Sequence, residues 1–172
     1  MADVRETQFQ RPIDTLQEAG VEFLIVGGVA ANVHGSPMGT QDVDIFSGRS
    51  EENLRRLADA LGPPRPYLRG APPGLPFKFD VPTVQAGLNF TFVTDAGDLD
   101  LLGGMTGGGG LEGLRPHVES RESFGRNRPI LSLPALIRAK RAGGRPKDLE
   151  AVAHLEAILA EEGEAGDLAD TN

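Results

Sequence analysis

The chain has 172 residues, with 17 Lys and Arg against 25 Asp and Glu and a formal net charge of −8. That length suits one domain with its own core, and the absence of Cys excludes disulfides, thiolate metal sites and cysteine nucleophiles. The opening Met1-Ala2-Asp3-Val4-Arg5-Glu6 leads into no apolar run, and no stretch approaches the ~20 apolar residues of a membrane span, so the expected setting is the cytoplasm, without a membrane partner.

Phe9, Ile13, Leu16 and Ala19 at helical spacing predict a helix over 9–19, closed by Gly20. Residues 21–26 read as a short buried strand, stopped by Gly27-Gly28. A short helix is expected over 29–34, ending at Gly35, then a loop over 36–39. In a second strand, 41–46, Val43, Ile45 and Phe46 interleave with acids. Ser50 before Glu51 and Glu52 is an N-cap with acids in the first turn, so a helix runs over 51–61 and closes at Gly62.

Residues 62–76 contain six prolines and are expected to be an irregular excursion. Strands follow over 88–93 and 98–102, then a Gly-rich segment, 103–110, read as a mobile flap. Ser132 caps a helix over 133–142, closed by Gly143-Gly144, and Pro146 opens a last helix over 146–161. The tail beyond Glu162 is acidic and expected to fray. The sum is an α/β (α+β) fold, a small mixed sheet flanked by helices with a C-terminal helical pair. One domain spans 1–162 (core 20–131, C-terminal helices 132–162), and 163–172 form an acidic tail.

Charge is divided unevenly along this order. Residues 115–147 carry nine bases against Glu119 and Glu122, net +7, between an acidic front and an acidic end. That pattern suggests a polyanion site; the same bases scattered around the fold would simply be solvated.

The stretch from Gly27 to Asp44 carries the most chemistry. A strand that delivers the chain to Gly-Gly at a helix start exposes backbone amides to phosphate, although a plain tight turn would look the same. Asp42 and Asp44 alternate on a strand and so share one face, where two carboxylates repel unless a cation lies between them. Such oxygen ligands suit Mg²⁺, which is held by one or two carboxylates plus substrate phosphates. Asp98-Leu99-Asp100 repeats the pattern. If its strand neighbours the first, Asp100 completes a two-metal cluster and is the candidate base, with Asp98 the weaker choice at the strand's entrance. His34 reads as a packing or capping residue.

Gly27-Gly28-Val29-Ala30-Ala31-Asn32-Val33-His34-Gly35 followed by Thr40-Gln41-Asp42-Val43-Asp44 resembles the minimal nucleotidyltransferase fold related to DNA polymerase β. Within it the chain is most similar to the branch containing the AbiEii and MenT toxins of toxin–antitoxin and abortive-infection systems. Leu136-Ile137-Arg138-Ala139-Lys140 and Gly144-Arg145-Pro146-Lys147-Asp148-Leu149 resemble that branch's C-terminal segment.

The resemblance implies Mg²⁺-dependent transfer of a nucleotidyl group from an NTP such as ATP to a hydroxyl of tRNA or protein, with a cognate antitoxin as partner. It makes Asp42, Asp44 and Asp100 metal-binding and catalytic. Gly27, Gly28, Thr40, Lys140, Arg145 and Asp148 would bind nucleotide, Lys140 and Arg145 on triphosphate oxygens and Asp148 orienting one of them. One departure stands out. The branch commonly has an arginine where this chain has Met38, which points to weaker triphosphate binding, altered nucleotide choice, or a catalytically silent member that binds nucleotide or a partner protein. An antitoxin-like role, with the acidic end masking a basic partner, is the third reading.

Overall fold

The computed structural model describes residues 4–104 and 110–169, so most of the expected flap, 105–109, lies outside the described residues. The fold is mixed α/β, a seven-stranded sheet flanked by helices. Helix α1 (Val4–Glu18) starts earlier than its apolar spacing predicts and buries Ile13 and Leu16 completely. It keeps Pro12 inside, which leaves the Gln8 carbonyl without its usual i+4 donor. A Cβ on Gly97 would lie 2.6 Å from that carbonyl oxygen, and Gly97 has φ +132°, so only glycine fits this close approach.

Strand β1 (Phe23–Val26) is buried along its whole length and runs directly into α2 (Gly27–Val33), which opens at the two glycines. Strand β2 (Val43–Ser47) follows, so Asp42 stands just ahead of the strand instead of within it. Helix α3 (Glu51–Leu61) has the predicted bounds, with Ser50 Oγ accepting from the Asn53 N–H.

The proline-rich excursion is less irregular than expected. It contains β3 (Tyr67–Leu68), paired antiparallel with β4 (Asn89–Thr94), and is followed by α4 (Val81–Ala86), capped by Asp80. Phe77 and Phe79 pack on Phe92 at centroid distances of 5.8 and 5.3 Å, which fixes the excursion against β4.

Strand β5 (Gly97–Leu102) and the short α5 (Leu111–Leu114) precede a hairpin for which the sequence pattern predicts no element: β6 (Val118–Ser123) and β7 (Arg126–Leu131). Its turn has positive φ at both Phe124 (51°) and Gly125 (75°), a twist that matches paired strands. Buried Arg128 ties that turn to α1: Nε donates to Ser123 O (3.1 Å), while Nη1 reaches Gln17 Oε1 (2.8 Å) and Asp14 Oδ1 (2.5 Å).

Helices α6 (Leu133–Gly143) and α7 (Pro146–Ala169) end the described chain. Ser132 caps α6 as predicted, and Gly144 closes it in the left-handed conformation (φ 67°). Helix α7 continues to Ala169 through the stretch expected to fray. Its residues there are exposed, and the helix continues through Gly163 and Gly166 against their low helix propensity.

The sheet order is β3-β4-β5-β2-β1-β7-β6. Helix α1 packs on β5 and α3, while α2 packs on β1, β2 and α6, and α6 in turn on α7. Buried Val43, Ile45, Leu99 and Leu101 alternate with the half-buried Asp44 and Asp100, so the carboxylates share the sheet face opposite this apolar set. No helix among the described residues is long and apolar enough to cross a membrane.

Candidate active site

Parallel pairing of β2 with β5 places Asp44 directly opposite Asp100. The row continues across the sheet, with Thr91 of β4 opposite Asp100 and Val26 of β1 opposite Asp44. One carboxylate oxygen from each of Asp42, Asp44 and Asp100 lies within 4.8 Å of the others. The condition on which Asp100 could join Asp42 and Asp44, that the two strands adjoin, is met by this pairing.

Glycine is required beside this cluster. Gly27 has φ +65°, and a Cβ there would fall 1.9 Å from Asp44 Oδ2. A Cβ on Gly28 would lie 2.5 Å from Thr40 Oγ1. Thr40 donates to the Asp42 carbonyl (3.2 Å) and Asn32 Nδ2 to those of Ser36 (2.9 Å) and Met38 (2.7 Å), so the α2–β2 loop is fixed where it brings in Asp42.

These groups line a cleft of about 200 Å³ with Gly28, Met38, Thr40, Asp42, Asp44 and Asp100 on one side. Lys140, Arg145, Lys147 and Asp148, from α6 and the start of α7, line the other. Arg145 and Asp148 form a fork, Nε to Oδ2 at 2.7 Å and Nη2 to Oδ1 at 3.2 Å. Asp148 is only 5 % exposed, yet the Arg145 side chain is 79 % exposed, so a buried acid aims a cation that faces solvent. A Cβ on Gly143 would come within 2.8 Å of Asp148 Oδ2, so the small residue at the end of α6 makes room for this acid.

Six of the nine bases in 115–147 sit in ion pairs: Arg115 with Glu22, Arg121 with Glu119, Arg126 with Glu18, Arg128 with Asp14, Arg141 with Glu156, and Arg145 with Asp148. The +7 segment is therefore not a continuous basic face. Lys140, Arg145 and Lys147 are what it contributes to the cleft.

The electrostatics set the two walls apart. Burial, then the nearby Asp100 and Asp42 carboxylates, push the Asp44 carboxyl up to about 7, with Lys140 opposing. Burial also raises the Asp100 carboxyl, against the pull of Arg69. Lys140 is lowered by burial, although Asp148 and Asp44 favour its charged form. Burial works to raise Asp148, but hydrogen bonding and charge from Arg145 outweigh it and hold the carboxyl below its ordinary range. Asp100 Oδ1 is buried and accepts no hydrogen bond of good geometry. Crowded carboxylate oxygens, with Asp44 reluctant to ionise, fit a hard divalent cation.

Sequence reasoning misses one residue of this site. Arg69, just beyond β3, donates its backbone N–H to Thr91 O (2.9 Å) and so extends the row that holds Asp100 and Asp44. Its guanidinium lies over the acids, with Nη1 3.1 Å from Asp42 Oδ2 and Nη2 3.0 Å from Asp100 Oδ1. Asp98, on the same face of β5, is 3.7 Å from Arg69 Nε but is not among the three clustered carboxylates. His34 is buried, its Nε2 donating to Leu131 O (2.8 Å), in keeping with a packing role.

No family model matches the sequence, and no curated protein matches it closely enough to serve as a relative. Solved structures do match. ANT(2″)-Ia in complex with adenylyl-2″-tobramycin is 15 % identical, covers 95 % of this chain and 94 % of its own, and has a TM-score of 0.62. The lincosamide antibiotic adenylyltransferase LnuA, lincomycin-bound, is 14 % identical, covers 91 % and 98 %, and scores 0.58. A Thermotoga maritima protein described as a candidate nucleotidyltransferase is 18 % identical, covers 88 % and 90 %, and scores 0.53. At these identities the likeness is one of fold, and the fold is that of nucleotidyltransferases.

Proposed function

We propose that the chain transfers a nucleotidyl group from a nucleoside triphosphate, ATP among them, to an acceptor hydroxyl, with Mg²⁺ held by Asp42, Asp44 and Asp100. The observation that carries this reading is the Asp44–Asp100 register, set across one cleft from Lys140, Arg145 and Lys147. When bound, the metal supplies neutralisation and polarisation of the reacting phosphate. The chain's own residues do the rest. Lys140 binds triphosphate oxygens as a point charge, and Arg145 binds them as a fork that Asp148 orients. Gly27 and Gly28 keep side-chain bulk away from Asp44 and Thr40, where the phosphates approach. Asp100 takes the proton of the attacking hydroxyl on a carboxylate oxygen, helped by the burial that raises its proton affinity. As it does so, the hydroxyl oxygen bonds the α-phosphorus and pyrophosphate leaves with the electrons of the broken bond.

The acceptor in this reading is a hydroxyl of tRNA or of a protein, and the chain acts as the toxin of a toxin–antitoxin or abortive-infection pair with an antitoxin partner. A second reading takes a small polyhydroxylated compound as acceptor; the lincomycin-bound and adenylyl-tobramycin-bound structures of like fold favour it. Arg69 on the carboxylates favours a third, the catalytically silent protein that binds nucleotide or a partner.

Purified protein with Mg²⁺ and each α-labelled NTP, offered tRNA, cell protein, an aminoglycoside or a lincosamide, separates them. Label transferred to one acceptor class, and lost in Asp44→Ala, supports transfer and names the acceptor. No transfer above the Asp44→Ala background with any acceptor sinks the enzymatic readings, and nucleotide binding indifferent to Mg²⁺ then identifies the silent one.

A further inference from the structure

Arg69 sits on two of the three carboxylates that a divalent cation would need. Its Nη1 and Nη2 lie 3.1 and 3.0 Å from Asp42 Oδ2 and Asp100 Oδ1. A hard cation such as Mg²⁺ coordinates oxygen at roughly 2.0–2.1 Å, and a guanidinium held on the same carboxylates repels it as a like charge. Guanidinium cannot relieve this conflict by losing a proton. Metal and Arg69 therefore compete for Asp42 and Asp100. The arginine is nevertheless firmly tethered, by its own N–H to Thr91 O (2.9 Å) and by Nη2 to Phe92 O (3.0 Å). Its third acidic neighbour, Asp98, lies outside the clustered trio at 3.7 Å from Nε and is free to keep the guanidinium after the other two acids are taken.

We propose that Arg69 is a built-in counter-cation of the metal site: it holds Asp42 and Asp100 in place without metal, yields to the metal on binding, and is then retained by Asp98. The inference rests on the metal-binding reading above and adds to it the residue that sets the threshold for metal loading. It also gives Asp98 a part in the site. Without Arg69 three carboxylates within 4.8 Å would repel one another and spread. With it the ligand set is assembled before the metal arrives, at the cost of a competition for every ion bound.

The test uses metal alone, without nucleotide or acceptor. Mn²⁺ binding to the full chain is followed by calorimetry, with thermal unfolding as the check on folding. R69Q is expected to bind Mn²⁺ about tenfold more tightly than the wild type, since a part-buried competing ion pair is gone. D98N is expected to weaken Mn²⁺ binding in the wild type, because the displaced guanidinium loses its retaining partner, and to have little effect in R69Q. In ¹⁵N spectra of the wild type, the Arg69 Nε–H resonance should move on adding Mg²⁺.

Equal or weaker Mn²⁺ binding by R69Q would overturn the proposal and make Arg69 a fixed prop. So would an Arg69 resonance that stays put at saturating Mg²⁺, or a D98N effect of the same size in both backgrounds. Wild type and R69Q both failing to bind Mn²⁺ would overturn the metal-binding reading and this proposal together, whereas affinity unaltered by R69Q overturns the proposal alone.

Discussion

The two walls of the cleft are built by different means. On the acidic wall, Asp44 and Asp100 are held by hydrogen-bonded register between strands some 55 residues apart in sequence, and Gly27 closes on them from a third element. On the basic wall, Arg145 is held by Asp148 three residues away, at the junction of two helices whose ends are fixed by Ser132, Gly144 and Pro146. Long-range pairing makes the acidic wall cooperative with the whole sheet, so damage there should be all or none. Local hydrogen bonds make the basic wall adjustable, so damage there should be graded.

The largest expected effect is on the acidic wall. Asp44→Ala should reduce nucleotidyl transfer about a thousandfold, the several kcal/mol of barrier that a metal site supplies, as read by label transfer under single-turnover conditions. A loss of only a fewfold would break the contrast.

Gly27→Ala comes next. Its Cβ would strike the Asp44 side chain in a left-handed backbone conformation, and the expected cost is about 3 kcal/mol in urea unfolding, with transfer lost as well. Unchanged stability would show that the acidic wall yields after all.

The third prediction concerns pH. Burial and the neighbouring carboxylates push the folded Asp44 carboxyl up to about 7, well above the ordinary carboxylate range, so the folded state binds this proton more tightly than the unfolded one. The metal-free protein should therefore lose stability as pH rises from about 4 through about 7, and Asp44→Asn should flatten that slope in urea midpoints. Metal must displace the same proton, so Mn²⁺ affinity at pH 6 should be about tenfold below its plateau above pH 7.

The smallest effect belongs to the basic wall. Asp148→Asn removes the charge that aims Arg145 and should raise KM for the triphosphate about fivefold with kcat little changed. An equal loss in kcat would place Arg145 among the groups that act only in the transition state.

The same division explains what the sequence made legible. Helix α3 has its predicted bounds because Ser50, Glu51, Glu52 and Gly62 are local signals, each acting within one turn. Alternation shows which acids share a face of each strand, but that the two Asp-bearing strands adjoin is only a condition in the sequence and is given by the β2–β5 pairing. The hairpin of β6 and β7 is not legible because β6 has no apolar face, β7 is apolar only at Ile130 and Leu131, and its turn relies on Phe124 in a conformation few side chains adopt. Arg69 was invisible for a related reason. It sits among prolines in a segment without periodicity, and only pairing with β4, more than twenty residues on, brings it over Asp42 and Asp100. Residues placed by local chemistry can be read one at a time, whereas residues placed by a partner strand need the topology first.

The ends of the sheet carry a consequence of their own. An open sheet exposes unpaired amides along its two outer strands, and a long flat edge invites another copy to add on. Here one edge is β3, two residues long and preceded by Pro66, and the other is β6, studded with Glu119, Arg121 and Glu122. The first is too short to template a strand and the second too charged to accept one. Both edges carry devices that disfavour edge-to-edge addition of another copy.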